Sequence, residues 1–109
     1  MLRNIHFFDL SSGVDERRAI ELWDGAIAEF ALARGCIERR TLKLYDSRKD
    51  ENSGEGSVPS AQFINESLWP DVETAMACWG QEKTQEFTTA QEELQSMIVM
   101  MGGVRYVTP

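Results

Sequence analysis

The apolar residues of this chain fall into six segments whose periods read strand, helix, strand, strand, helix, strand, and the strands carry apolar side chains on both faces. At 109 residues the chain has room for that order and little else, so it reads as one domain over 1–109. Residues 3–10, Arg-Asn-Ile-His-Phe-Phe-Asp-Leu, form the first strand of this reading. Alternation puts Asn4, His6, Phe8 and Leu10 on one side, and Ile5, Phe7 and Asp9 on the other. Neither side is purely polar, so neither is simply solvated.

Ser11-Ser12-Gly13 ends that strand, and Ser12 or Asp15 is placed to cap a helix. Ile20, Trp23, Ile27 and Phe30 recur at steps of three and four, giving one apolar stripe on a helix of about five turns, with Gly35 as its stop. Residues 36–45 alternate as a second strand, with Leu42 and Leu44 assigned to the core side. Residues 46–60 are poor in apolar groups and read as a mobile loop between strands. A third strand covers 61–68, with Phe63 on one face and Ile64 and Leu68 on the other. Pro70 suits the first turn of the next helix, whose stripe is Val72, Ala75, Met76 and Trp79 up to an interruption at Gly80. Phe87, Ala90 and Leu94 continue at helical spacing. Met97–Met101 is uniformly apolar and carries no period, so it finishes a helix or begins a strand. Gly102-Gly103 breaks whichever it is, leaving 104–107 as a short last strand.

Short connections and right-handed crossovers fold this order into an α+β unit: a ferredoxin-like βαββαβ arrangement, one antiparallel four-stranded sheet with its helices on one face. Two helices cover one face only. The other would leave an apolar patch on a monomer, and a second copy pressed against it removes the patch. A homodimer is therefore expected.

The net charge of −7, from 18 acidic against 11 basic residues, argues against nucleic-acid and anionic-membrane partners, because both depend on neutralising phosphate. No apolar run approaches the ~20 residues of a membrane span, which leaves a cytoplasmic location as the expectation. Cys36 and Cys78, with a single histidine, do not make a zinc site and read as buried thiols. There is no phosphate loop, nucleophile elbow or His/carboxylate cluster in the sequence, so neither a metal nor a cofactor is expected.

Element order, length and the ending Gly-Gly-Val-Arg-Tyr-Val resemble the dimeric α/β-barrel superfamily, which includes EthD-like proteins, antibiotic-biosynthesis-type monooxygenases, stress-responsive barrel proteins and small polyketide cyclases. The resemblance implies a cleft between sheet and helices that holds a small hydrophobic ligand, and cofactor-free chemistry on aromatic or polyketide-like molecules. Ile27 stands where EthD-like proteins have a histidine after the helix-1 tryptophan. Asn4 and Trp69 are similar in place to residues of haem-handling barrels, but the helix-2 histidine those need is missing.

His6 resembles the strand-1 histidine that lines the cleft in the cyclases, and an imidazole titrating near neutral pH can deprotonate an acidic carbon or phenol. It is the candidate acid/base; a hydrogen-bonded structural residue is the plainer alternative. Asn4, Phe8, Trp23, Tyr45, Asn65, Trp69 and Tyr106 are the candidate ligand-binding residues. The two tyrosines end strands and can offer hydroxyls at a cleft mouth, the asparagines can meet a polar group of the ligand, and the rings can pack against it or serve as core. Two functions remain open: a monooxygenase- or cyclase-like enzyme, and a non-catalytic binding or accessory protein acting through its dimer surface.

Overall fold

The computed structural model describes residues 1–46 and 61–109. Almost all of the loop expected over 46–60 lies outside them. The chain order is β1 (Leu2–Leu10), α1 (Glu16–Leu22), a π-helical turn (Trp23–Ile27), α2 (Ala28–Leu32), β2 (Glu38–Lys43), β3 (Phe63–Trp69), α3 (Val72–Gly80), α4 (Gln85–Met97) and β4 (Ile98–Val107). The strands form one antiparallel sheet in the order β2-β3-β1-β4. The first helical run is kinked at a π turn in its middle, where Gly25 leaves helical angles (φ −94, ψ −115). That turn carries Trp23 and Ile27, both buried.

The starts of α1, α3 and α4 each have a side-chain cap. Asp15 Oδ1 accepts from the Arg17 N–H at 3.0 Å, Asp71 Oδ1 from the Thr74 N–H at 2.7 Å, and Thr84 Oγ1 from the Phe87 N–H at 3.1 Å. Pro70 therefore precedes the cap of α3 rather than entering its first turn. The core lies between the helices and one sheet face, built on Phe8, Phe63 and Trp69 from the strands and on Trp23, Phe30, Phe87 and Leu94 from the helices. The stripe assigned to α3 is rotated. Ala75 and Cys78 are buried, whereas Val72 and Met76 are exposed, because the small residues allow α3 close to β3.

Strand register corrects three further expectations. Directly paired residues share a sheet face. Thr41 pairs with Asn65, and Lys43 with Phe63, so β2 turns Arg39, Thr41 and Lys43 toward the helices. Leu42 pairs with Ile64 on the opposite, open face, and Leu42 and Leu44 are exposed. Alternating apolar character fixes a strand's two faces without saying which is inner, and here the polar set is inner. The Met97–Met101 ambiguity resolves at its first residue: α4 ends at Met97 and β4 starts at Ile98. Nor does Gly102-Gly103 end anything, since β4 runs through it. His6 pairs with Gly103 and Phe8 with Met100, so β4 spends one extra residue opposite Phe7, and Gly102 absorbs it at φ +95.

The open face carries Ile5, Phe7, Leu42, Ile64 and Val104 in register, together with a polar cluster. Glu66 is buried there, bonded to the Arg40 Nε–H and 3.4 Å from Arg3 Nη1. Arg40 also reaches Glu38 at 3.6 Å. The Arg3–Glu66 and Arg40–Glu66 pairs cross strands, whereas Arg40–Glu38 lies along β2. Arg39 pairs instead with an amide, and Asp9 caps the Gln62 N–H at 2.6 Å.

Gly35 has φ +103, and a Cβ there would stand 2.6 Å from the Thr74 Cγ2 methyl. The Thr74 hydroxyl is tied to Asp71 Oδ1 at 2.6 Å, which holds the methyl in place. Gly35→Ala is expected to destabilise by about 2 kcal/mol, from left-handed strain plus overlap. Adding Thr74→Ser, which keeps the hydroxyl and removes the methyl, recovers the overlap part. Urea unfolding of the four proteins of this cycle measures both, and equal losses with and without Thr74→Ser would refute the contact.

Candidate functional site

The register that turns Arg39 inward also builds a cleft. On the helix side of the sheet, Asn4 and His6 of β1, Arg39 of β2, and Ile98 and Met100 of β4 form its floor. The π turn contributes Trp23 and Ile27, and the segment from α3 to α4 contributes Trp79, Lys83, Phe87, Gln91, Leu94 and Gln95. The cleft, open to solvent on one side, has a volume of about 400 Å³, within the range of small-molecule pockets.

His6 sits half-buried, paired to Gly103 across the ladder. A Cβ on Gly103 would lie 2.8 Å from the Ile5 carbonyl oxygen and 3.1 Å from His6 Cδ2, so only glycine lets β4 pass this close beneath the imidazole. Burial, and then the charge of Arg39, lower the His6 pKa from its ordinary value. The imidazole is therefore neutral at neutral pH and available as a proton acceptor.

Arg39 is the residue that organises the site. Its Nη2–H donates to Asn65 Oδ1 at 2.5 Å, and the Asn65 amide donates in turn to Thr41 Oγ1 at 3.0 Å. The Thr41 hydroxyl donates to Asp24 Oδ1 at 2.8 Å, tying β2 to the π turn. The guanidinium carbon lies 6.0 Å from the Trp23 ring centroid and 5.8 Å from that of Trp79. Burial lowers the Arg39 pKa from so high a starting value that the group remains a cation. Arg39 Nε and Trp23 Nε1 are buried with no hydrogen-bond partner among the described residues. Lys83 is different, since its ammonium donates to the carbonyls of Trp79 (2.7 Å) and Gln81 (2.8 Å), closing the end of α3.

Of the candidates named from sequence, the cleft brings together His6, Asn4 and Trp23. The remaining five lie outside it. Phe8 is fully buried beneath, stacked on Phe63 at 5.2 Å and tilted against Trp23 at 5.3 Å. Asn65 is spent on Arg39 and Thr41. Trp69 is core, its indole N–H donating to Ser67 Oγ at 3.0 Å and its ring edge-on to Trp79 at 5.9 Å. Tyr45 follows the end of β2 and is 97% exposed. Tyr106 pairs with Arg3, which places it on the open face. Sequence reasoning missed Arg39, Trp79, Gly103 and the α4 residues Phe87 and Gln91. For Arg39 a signal existed in the apolar Leu42–Leu44 pair, had it been assigned to the open face. Cys36 and Cys78 are buried, unpaired thiols whose pKa values burial raises, and neither lines the cleft. No His/Cys/Asp/Glu group suited to a metal occurs among the described residues, and no described helix is long and apolar enough to cross a membrane.

Solved structures share this fold over almost the whole chain. SnoaB, a cofactor-independent oxygenase from Streptomyces nogalater, aligns with a TM-score of 0.68 at 12% identity, over 99% of this chain and 92% of its own. A dimeric protein of ferredoxin-like fold from Thermobifida fusca aligns at 0.58 and 14% identity, over 98% and 90%. The fold is ferredoxin-like. HapK from Hahella chejuensis matches the same ferredoxin-like frame with a TM-score of 0.64 at 13% identity, over 100% of this chain and 93% of that one. No protein-family model and no curated protein matches the chain.

A lowered His6 pKa couples to stability. The unfolded histidine titrates near 6.5 and the folded one below it, so protonation favours the unfolded chain. The neutral imidazole's contribution is expected to be complete above about pH 6.5 and to be lost as pH falls through the folded pKa. Because His6 is the chain's sole histidine, a single imidazole resonance reports its titration directly. Urea unfolding from pH 8 to 5 should show the wild type losing stability relative to His6→Gln. A resonance titrating at or above 6.5 would contradict the burial argument.

Proposed function

We propose that two copies of this chain close an α/β barrel, and that each binds a small hydrophobic, aromatic metabolite in its cleft and acts on it without a cofactor, His6 serving as acid/base. The observation that carries this reading is the convergence of a neutral, half-buried imidazole and the Asn4 amide on one ring-walled cavity of about 400 Å³. A planar substrate lies between the rings of Trp23, Trp79 and Phe87. His6 takes a proton from an acidic C–H or O–H, and the Asn4 amide donates to the oxygen on which charge develops. The likeness in fold to a cofactor-independent oxygenase supports chemistry of this monooxygenase- or cyclase-like kind.

Dimerisation rests on the open face and on β4. Ile5, Phe7, Ile64, Leu42 and Val104 form an apolar band opposite the helices, and β4 is an edge strand of ten residues with Val99, Met101, Tyr106 and Val107 exposed. A face and an edge of this extent are covered in a stable soluble assembly. The dimeric relative of the same fold supports this.

Native mass spectrometry of the purified protein, repeated after denaturation, tests both parts. A dimer carrying extra mass released on denaturation is the expected result, and that mass identifies the ligand. A bare monomer would sink the barrel. A dimer that binds aromatic molecules but catalyses nothing on them would favour the accessory role.

A further inference from the structure

We infer that Arg39 makes the cleft selective for an anion: the ligand is a planar aromatic molecule bearing an acidic oxygen, a carboxylate or a phenolate, seated on the guanidinium. This deepens the proposed function and rests on the cleft being a ligand site.

Four observations converge. The protein carries a net charge of −7, yet the residues lining its cleft include two cations, Arg39 and Lys83, and not one aspartate or glutamate. Arg39 has no carboxylate within ion-pair distance among the described residues; its one hydrogen-bond partner there is the neutral Asn65. Asp24, the acidic side chain that acts on it through space, is occupied by the Thr41 hydroxyl. Among the described residues, the buried side-chain polar atoms left without partners, Arg39 Nε and Trp23 Nε1, are both donors and belong to neighbouring groups of this one cleft. A desolvated cation beside two unanswered donors is costly when empty and complementary to an acceptor that brings negative charge.

The flanking rings add shape to charge. Trp23 and Trp79 both lie about 6 Å from the guanidinium carbon, so the cation is reached along ring faces. A flat ligand slides between these walls and meets Arg39 with its acidic edge. Lys83 does not compete for this role, since its ammonium is committed to two carbonyls. The arrangement also fits proton removal by His6. An anion formed on the ligand finds a fixed cation next to the base that made it, and the same cation discourages His6 from holding a proton when the cleft is empty.

The test uses two probes of one shape, 2-naphthoate and its methyl ester, titrated into the full chain at pH 8 with tryptophan fluorescence as the readout. The wild type is expected to bind the anion roughly tenfold to a hundredfold more tightly than the ester, the range of a charge-assisted hydrogen bond. Arg39→Met should abolish that preference while the ester still binds, and Arg39→Lys should restore part of it. Equal binding of both probes by the wild type leaves the pocket standing and overturns the anion selectivity. Binding of neither overturns the pocket and the inference together. The wild-type comparison decides the matter even if Asn65 Oδ1, stripped of its donor, keeps Arg39→Met from folding.

Discussion

Trp69→Ala is expected to remove about 3–5 kcal/mol, a large share of the 5–15 kcal/mol available to a domain of this size. Trp69 is fully buried and ends β3 at the point where the chain turns into α3. Its loss opens a cavity that neighbouring backbone cannot fill, because β3 is paired on both sides and α3 is capped by Asp71 two residues later. Ser67 also loses the indole N–H that its hydroxyl accepts. The damage reaches the site, since Trp79 rests edge-on against Trp69 and forms one wall of the cleft. With a typical urea dependence, the unfolding midpoint should fall by roughly 2 M. Trp69→Phe keeps an aromatic ring in contact with Trp79 and should lose well under half as much. A drop below about 1 kcal/mol for the alanine variant would mean the core collapses around the gap, contrary to the packing described here.

The fold was largely legible because its evidence is periodic. Ile20, Trp23, Ile27 and Phe30 mark one helix face, and a βαββαβ order fits within the 109 residues. The failures have a common physical origin. Period two defines two faces but does not label the inner one, so the apolar pair Leu42 and Leu44 reads as core although the partner register assigns the inner face to Arg39 and Thr41. The same ambiguity hid the organising residue of the site. An arginine on an alternating strand reads as solvated, and its inward placement becomes intelligible only with Asn65 and two tryptophan rings around it. Gly102-Gly103 misled for a related reason. A glycine pair ends an isolated strand, but against the β1 backbone it supplies a bulge and a close approach that a side chain would forbid. His6 and Asn4 were legible as cleft candidates since residues two apart on one strand share a face, and Trp23 followed from the stripe. Tyr45 and Tyr106 were not placeable, because a residue at a strand end points to whichever face the register dictates.

If His6 is the base, its replacement by glutamine should slow proton abstraction by roughly 10²–10⁴-fold, the usual worth of a positioned general base. The readout need not await the natural substrate. 2-Tetralone is a fused-ring ketone with an acidic benzylic C–H, and exchange of that hydrogen for deuterium in heavy water reports proton abstraction alone, with no oxidant involved. The wild type should accelerate exchange beyond an equal concentration of free imidazole, and the rate should rise with pH through the His6 pKa, below the ordinary histidine value. Glutamine keeps comparable bulk and a hydrogen-bonding group over Gly103 but cannot accept the proton, so binding measured by tryptophan fluorescence should change only a few-fold. That division separates chemistry from architecture. Asn4→Ala, which removes a donor to the developing oxyanion while leaving the base, should cost a smaller factor and leave the pH profile where it was. Exchange catalysed equally by wild type and His6→Gln would assign the cleft to binding alone. A pH profile that follows the His6 resonance and vanishes with the imidazole would join the neutral, half-buried state of this side chain to a reaction.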